Sequence, residues 1–130
     1  MKKVPIAIRV HNENLSLIME NDMKEVIVEI IYALVQLIPL GFVTTYGEIA
    51  KVLGLSPRYV GKVLSTNRKP IVIPCHRVIM SNRDIGSYTI NERKSRYFKR
   101  RLLELENVKF TSKGKVSKEC IIKLFDIFGG

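Results

Sequence analysis

Cysteine is scarce in this chain of 130 residues: there are two, Cys75 and Cys120, in unrelated contexts. Two cysteines make no disulfide framework and cannot fill a four-ligand zinc site, which excludes a cysteine-stapled secreted module and leaves no metal centre to expect. Long apolar runs are missing as well. The most apolar stretch, Ile30 to Val43, is short and broken by Gln36, Pro39 and Gly41, so no membrane span is expected. The N-terminus, Met1-Lys2-Lys3-Val4-Pro5, is charged but has no uninterrupted apolar run behind it, unlike a secretion signal. The default compartment is the reducing cytoplasm, where a free thiol survives.

Acidic residues are the other shortage, 12 against 22 Lys and Arg, for a net charge of +10. The imbalance is not uniform. Residues 1–50 carry four basic and six acidic side chains, residues 51–90 seven and one, and residues 91–130 eleven and five. The positive field therefore lies in the last two thirds of the chain. It suits a polyanion, nucleic acid first, while a basic surface that serves only solubility has the same composition.

What is present is ordinary globular material, 46% hydrophobic and 26% charged. It is long enough to bury a core unaided and of a length that favours one domain. Val4 to Ile18 reads as one or two short strands or an extended cap. Asp22 to Glu25 has helix-opening character, and Val26, Ile27, Ile30, Ile31, Leu34, Leu37 and Ile38 follow at helical spacing until Pro39 and Gly41. Residues 1–20 are thus expected to be an N-terminal cap or remnant, and residues 21–130 the working domain.

Thr45 and Glu48 have capping-box spacing, with Ile49, Ala50 and Leu53 behind them and Gly54 as the stop. Ser56-Pro57 opens a second short helix with Val60, Val63 and Leu64 inward and Arg58, Tyr59, Lys62 and Ser65 outward. The pair reads as a helix-turn-helix, and small Gly61 on a cationic face suits close approach to a DNA backbone. A purely structural helical hairpin has the same pattern. Glu92 to Glu106 reads as a basic helix with a buried stripe of Phe98, Leu102 and Leu105, and with Lys99 among its exposed cations. Residues 108–110 and 115–117 flank Gly114 like a small hairpin. The fold class expected is α+β, mostly helical: a single domain with a winged-helix-like helix-turn-helix and a small C-terminal β-hairpin.

The chemistry concentrates in Ile73-Pro74-Cys75-His76-Arg77-Val78. Most free cysteines are buried and inert. This one follows a rigid proline, adjoins a histidine that can act as a base through a water, and lies in a basic stretch that favours a thiolate. An acid that orients the base is nominated at Glu106.

Pro74-Cys75-His76-Arg77-Val78 resembles the active-site signature of the O6-alkylguanine-DNA alkyltransferases. Thr45-Tyr46-Gly47-Glu48-Ile49-Ala50 resembles the family's first helix of the helix-turn-helix. Arg58-Tyr59-Val60-Gly61 resembles the start of its recognition helix, and Leu102-Leu103-Glu104-Leu105-Glu106 its closing helix. The likeness covers about Asp22 to Val116. It implies irreversible transfer of an alkyl group from O6-alkylguanine in duplex DNA to Cys75 after base flipping. His76 would deprotonate the thiol, Glu106 would orient His76, and Asn67 would brace the loop. Tyr46 would press on the phosphate and hydrogen-bond the guanine. Tyr88, Thr89 and the main chain of Val78 would form the guanine pocket, and Arg58 would fill the vacated duplex, with Thr45, Gly61 and Lys62 against the DNA. The resemblance implies no cofactor or metal, minor-groove binding and a monomer. Two other classes stay open: a lesion sensor of the alkyltransferase-like kind, whose members lack the cysteine present here, and a winged-helix regulator. The segment after Tyr88 departs from the family pattern, having no glycine there and about one extra helical turn of chain before Leu102.

Overall fold

The computed structural model describes residues 13–86, 89–90 and 93–128. Helix α1 spans Glu13–Gln36. Strand β1 (Thr44–Thr45) leads directly into α2 (Tyr46–Leu53), and α3 (Pro57–Ser65) follows. A 3₁₀ turn at Cys75–Arg77 runs into β2 (Val78–Ile79). Next come β3 (Thr89–Ile90), β4 (Arg93–Lys94) and α4 (Arg96–Leu105), then a second 3₁₀ turn at Lys118–Cys120 and α5 (Leu124–Phe128).

The strands expected within Val4–Ile18 are not found over residues 13–18, which are helical; residues 4–12 lie outside the described part. The reason is in the spacing. Leu15, Ile18, Met19 and Met23 continue the helical period of α1 toward its start, with no glycine or proline to stop it, so Asp22 is an interior residue rather than a cap. Further along, α1 buries Ile27, Ile31, Leu34 and Val35 and leaves Val26 exposed; in the turn that follows, Ile38 is buried and Leu37 exposed.

The helix-turn-helix forms as its local chemistry dictates. The Thr45 hydroxyl accepts from the Glu48 amide at 3.0 Å, and Ser56 accepts from the Tyr59 amide at 3.1 Å. Gly54 ends α2 at φ +68°, a left-handed conformation that glycine adopts without a Cβ penalty. Ile49, Ala50, Leu53, Val60, Val63 and Leu64 pack with α1 into one core cluster that also takes in Cys75, Val78 and Leu124.

The basic helix is shorter and differently phased than its sequence suggests. It begins at Arg96, where Ser95 caps the Phe98 amide at 3.1 Å. Residues 93–94, expected in its first turn, instead pair antiparallel with 89–90. The extra length before Leu102 is thus partly absorbed by this short ribbon. The buried face of α4 carries Lys99 and Leu103, while Leu105 is 72% exposed and Phe98 and Leu102 are half-buried. Lys99, Leu103 and Glu106 are spaced by four and three residues and so share a face. The apolar stripe 98-102-105 lies one position off the true axis of burial.

The C-terminal hairpin is reduced to a single antiparallel bridge between Phe110 and Val116, without strands on either side. The described residues thus form a mostly helical α/β domain, with five helices among them and a small two-stranded parallel sheet, β1 against β2. In that sheet Thr44 pairs with Val78 and Thr45 with Ile79. This register positions the site, because β1 ends at the cap of α2 and β2 begins where the Cys75 turn ends. A second core cluster, including Val43, Ile79, Ile85, Leu103, Val108, Val116 and Cys120, backs it. The tail is fastened by Val43 N–H to Cys120 O (2.8 Å), Ile122 N–H to Val43 O (2.7 Å) and Thr44 Oγ1 to Ile122 O (2.8 Å).

Candidate active site and DNA interface

Cys75 starts the 3₁₀ turn and is 5% exposed. The loop leading to it is tight. Ile71 takes φ +79°, a left-handed conformation that is strained for a β-branched residue, within a turn closed by Ile73 N–H to Lys69 O at 2.9 Å. Asn67 clamps this loop. Its Nδ2 donates to Ile73 O at 2.9 Å and to Cys75 Sγ at 3.2 Å, and its Oδ1 accepts from Lys69 N–H at 2.9 Å. The expected bracing residue therefore also touches the sulfur.

His76 is fully buried, and its Nε2 lies 2.8 Å from Glu106 Oε2. Glu106 caps the C-terminus of α4, so the chain brings its acid to His76 from across the domain. Burial opposes the ionised form of Glu106, but the hydrogen bonds from Arg77 and His76 outweigh it and hold its pKa below the usual carboxylate range. A carboxylate can only accept, so Nε2 carries the proton of a neutral imidazole and Nδ1 is the basic nitrogen. Burial is also what lowers the His76 pKa, against the opposing pull of Glu106.

Arg77, whose place in the Pro74–Val78 motif implies no role by itself, serves the acid. Its Nε and Nη2 bind Glu106 Oε1 and Oε2 at 2.8 and 2.9 Å, and its Nη1 donates to Ile38 O at 2.8 Å. This planar fork locks the carboxylate and ties it to the end of α1. Lys99, expected among the exposed cations of the basic helix, is on its buried face instead. It is fully buried, donates from Nζ to Val78 O at 2.7 Å and lies 5.7 Å from the centre of the Tyr46 ring. The charge density of α4 concealed it. Its spacing from Leu103 and Glu106 was the available signal.

Tyr46 opens α2 and is half-buried. Burial first, and the charge of Cys75 second, push its pKa up to about 12, so the phenol remains a donor. A Cβ placed on Gly61 would lie 3.8 Å from Tyr46 Cε1, which puts the small residue of α3 directly against the ring. Together with Pro57, Arg58, Met80, Ser81, Asn82 and Gly86, these two residues line a cavity of about 460 Å³. Gly86 sits at φ +72°, and a Cβ there would lie 3.2 Å from Met80 Cγ, so any other residue would be strained and would press on that side chain. Asp84 and Arg96 form an ion pair that ties this wall to the start of α4.

Arg58 and Lys62 are exposed on α3. Thr45 is 7% exposed, and its hydroxyl serves the helix cap. The Val78 N–H closes the turn onto Cys75 O, and the Val78 carbonyl accepts from Lys99. Thr89 lies on β3 opposite Lys94. Tyr88, the expected pocket aromatic, falls outside the described residues. Among the described residues no group of three metal-ligating side chains occurs, and no helix is long and apolar enough to cross a membrane.

A helix-turn-helix whose first residue packs against the core cluster that holds Cys75, with a buried His76–Glu106 pair next to it in the chain, defines the class: a helix-turn-helix domain with a buried thiol at its centre. Residues 27–108 match the family model of the 6-O-methylguanine DNA methyltransferase DNA-binding domain, and the chain belongs to that family. It is 54% identical over 69 residues to the methylated-DNA–protein-cysteine methyltransferase of Thermococcus sibiricus, covering 53% of this chain and 37% of that one. It is 45% identical over 73 residues to the Archaeoglobus fulgidus protein of the same name, covering 55% and 49%. The chain thus matches less than half the length of these curated relatives. Among solved structures, S. pombe Atl1 in complex with damaged DNA containing O6-carboxymethylguanine superposes with a TM-score of 0.62 at 31% identity, over 76% of this chain and 96% of that one. The O6-methylguanine-DNA methyltransferase of Pyrococcus kodakaraensis gives 0.55 at 39% identity, over 62% and 46%. The Mycobacterium tuberculosis OGT in complex with DNA gives 0.53 at 36%, over 62% and 48%.

Proposed function

We propose that this chain removes alkyl groups from O6-alkylguanine in duplex DNA by transferring them to its own Cys75, as its named relatives' activity suggests. The observation that carries the reading is the relay itself. Asn67 touches the sulfur, His76 is neutral and buried beside it in sequence, and Glu106 is held ionised on His76 Nε2. The thiol proton passes through a water to His76 Nδ1. Cys75 Sγ attacks the alkyl carbon, the S–C bond forms as the C–O6 bond breaks, and the electron pair leaves with the guanine. Tyr46, kept protonated, donates a hydrogen bond to the departing base. No group restores the thiol, so each molecule acts once.

The reacting atom is inside a stacked duplex, so the nucleotide must be extruded. The cavity beside Tyr46 and Gly61 receives it, and Arg58 at the start of α3 enters the gap from the minor groove. The domain acts as a monomer on double-stranded DNA, in the reducing cytoplasm that keeps Cys75 free. One observation favours a second reading, a non-catalytic lesion sensor: Atl1 is matched over nearly its whole length.

Intact mass after incubation with a duplex bearing one O6-methylguanine, followed by peptide mapping, decides between them. The expected result is one methyl on the Cys75 peptide with unmodified guanine restored in the DNA. Lesion-selective binding without a mass change would establish the sensor instead.

A further inference from the structure

A second cavity, of about 570 Å³, adjoins the first one across Ser81, which borders both. Its walls come from three separate parts of the chain. Thr45 ends β1 and Gly47, Glu48 and Lys51 follow it along α2; Ser81 and Arg83 come from the loop after β2, and Lys118, Ile121 and Lys123 from the C-terminal segment. Four basic side chains therefore meet a single carboxylate. That carboxylate is already engaged: Glu48 Oε1 accepts from the Phe125 amide at 3.0 Å, and its Oε2 lies 3.9 Å from Lys51 Nζ. Lys51, Lys118 and Lys123 are exposed. Their backbones are fixed, because the tail is bridged to β1 through Val43 and Ile121 and bonded to Thr44. Lys118 and Lys123 lie beyond residues 27–108, the part matched by the family model.

We infer that this cavity seats a DNA backbone phosphate flanking the lesion, so that the C-terminal segment adds a contact beyond the helix-turn-helix. The inference rests on the proposal that the first cavity receives a flipped nucleotide. A duplex held there must carry its phosphates past the neighbouring cavity, because Thr45 and Gly47, which line the second cavity, flank Tyr46, which lines the first. A convergence of cations across a wall from the nucleotide site is complementary to a phosphodiester and to little else on the duplex. Because the contact is with backbone, it strengthens binding to any sequence, damaged or not.

The test is the salt dependence of duplex binding by the full chain, with and without an O6-methylguanine. Each phosphate neutralised contributes roughly 0.9 to the slope of log affinity against log salt concentration. Lys118→Gln with Lys123→Gln is expected to weaken binding several-fold at low salt and to reduce that slope by about 1 on both duplexes. Lys24→Gln, an exposed lysine on α1, is the charge control and is expected to leave the slope unchanged. Reaction of the double variant with free O6-benzylguanine, and its thermal midpoint, should match the parent, which separates loss of the phosphate contact from misfolding. An unchanged slope in the double variant, or an equal drop in the control, overturns the inference. A parent that binds DNA with the expected slope yet never transfers a methyl group refutes the catalytic reading alone and leaves the phosphate site standing.

Discussion

Lys99 Nζ donates to the carbonyl oxygen of Val78 at 2.7 Å inside the core, joining the basic helix to the turn that carries Cys75. Burial pulls the Lys99 pKa down to about 8, with the charge of Cys75 pulling the other way. Below about pH 8 both the folded and unfolded chains hold this proton. Between about 8 and the ordinary lysine value the unfolded chain holds more, so this residue's contribution to stability rises with pH. Urea unfolding of the parent and of Lys99→Met at pH 8 and pH 10 should show the difference moving toward the parent, by on the order of 2–3 kcal/mol. A difference that is flat with pH would contradict the buried placement.

Arg77 holds Glu106 through two hydrogen bonds and Ile38 through a third. Its side chain and that of Glu106 are 14% and 13% exposed, so removing one partner strands a largely desolvated charge. Arg77→Met is expected to cost about 2–4 kcal/mol in chemical denaturation. It should also slow alkyl transfer, because Glu106 loses the clamp that keeps it aligned on His76. Unchanged transfer at unchanged stability would remove Arg77 from the relay.

Asn67 presents an amide donor to Cys75 Sγ at 3.2 Å. Asn67→Asp keeps the shape but replaces that donor with a carboxylate beside a developing thiolate. Transfer to the lesion duplex is expected to fall by about tenfold or more, the equivalent of roughly 1.4 kcal/mol or more in the barrier. Asn67→Ala should be milder toward the thiolate but should loosen the loop, costing about 1–2 kcal/mol of stability. Single-turnover rates and melting curves for the pair separate the two effects, and equal rates in both variants would mean that the sulfur contact is incidental.

Arg58 stands at the cavity rim on the first turn of α3, remote from the Cys75 relay in role. Arg58→Ala should therefore slow repair of duplex DNA far more than reaction with free O6-benzylguanine, which needs no extrusion. A loss of about tenfold on duplex with less than twofold on the free base is the expected pattern. Equal losses on both substrates would refute gap filling.

Sequence alone determined the parts of this protein whose chemistry is local. Thr45, Gly54 and Ser56 cap and stop their helices with side chains and backbone conformations that need no distant partner, so the helix-turn-helix was legible. The Pro74 to Val78 run and Glu106 carried the relay by residue type and order. The long α1 was legible only in its second half, because the helical period of Leu15, Ile18 and Met19 competes with the polar residues around it. Other features are not written in any local stretch. Whether Lys99 faces water or core depends on the phase in which α4 docks against β2, and the Val78 carbonyl is one of the groups that receive it there. Arg77 becomes a clamp only when α1 ends and α4 ends meet at one point. The two β1–β2 pairs, residues more than thirty apart in the chain, bring Tyr46 against the core cluster that holds Cys75. The cationic cavity likewise exists only because the tail folds back onto α2. Long-range docking decided these, since pairings between distant segments are fixed by mutual burial and hydrogen bonding rather than by local propensity.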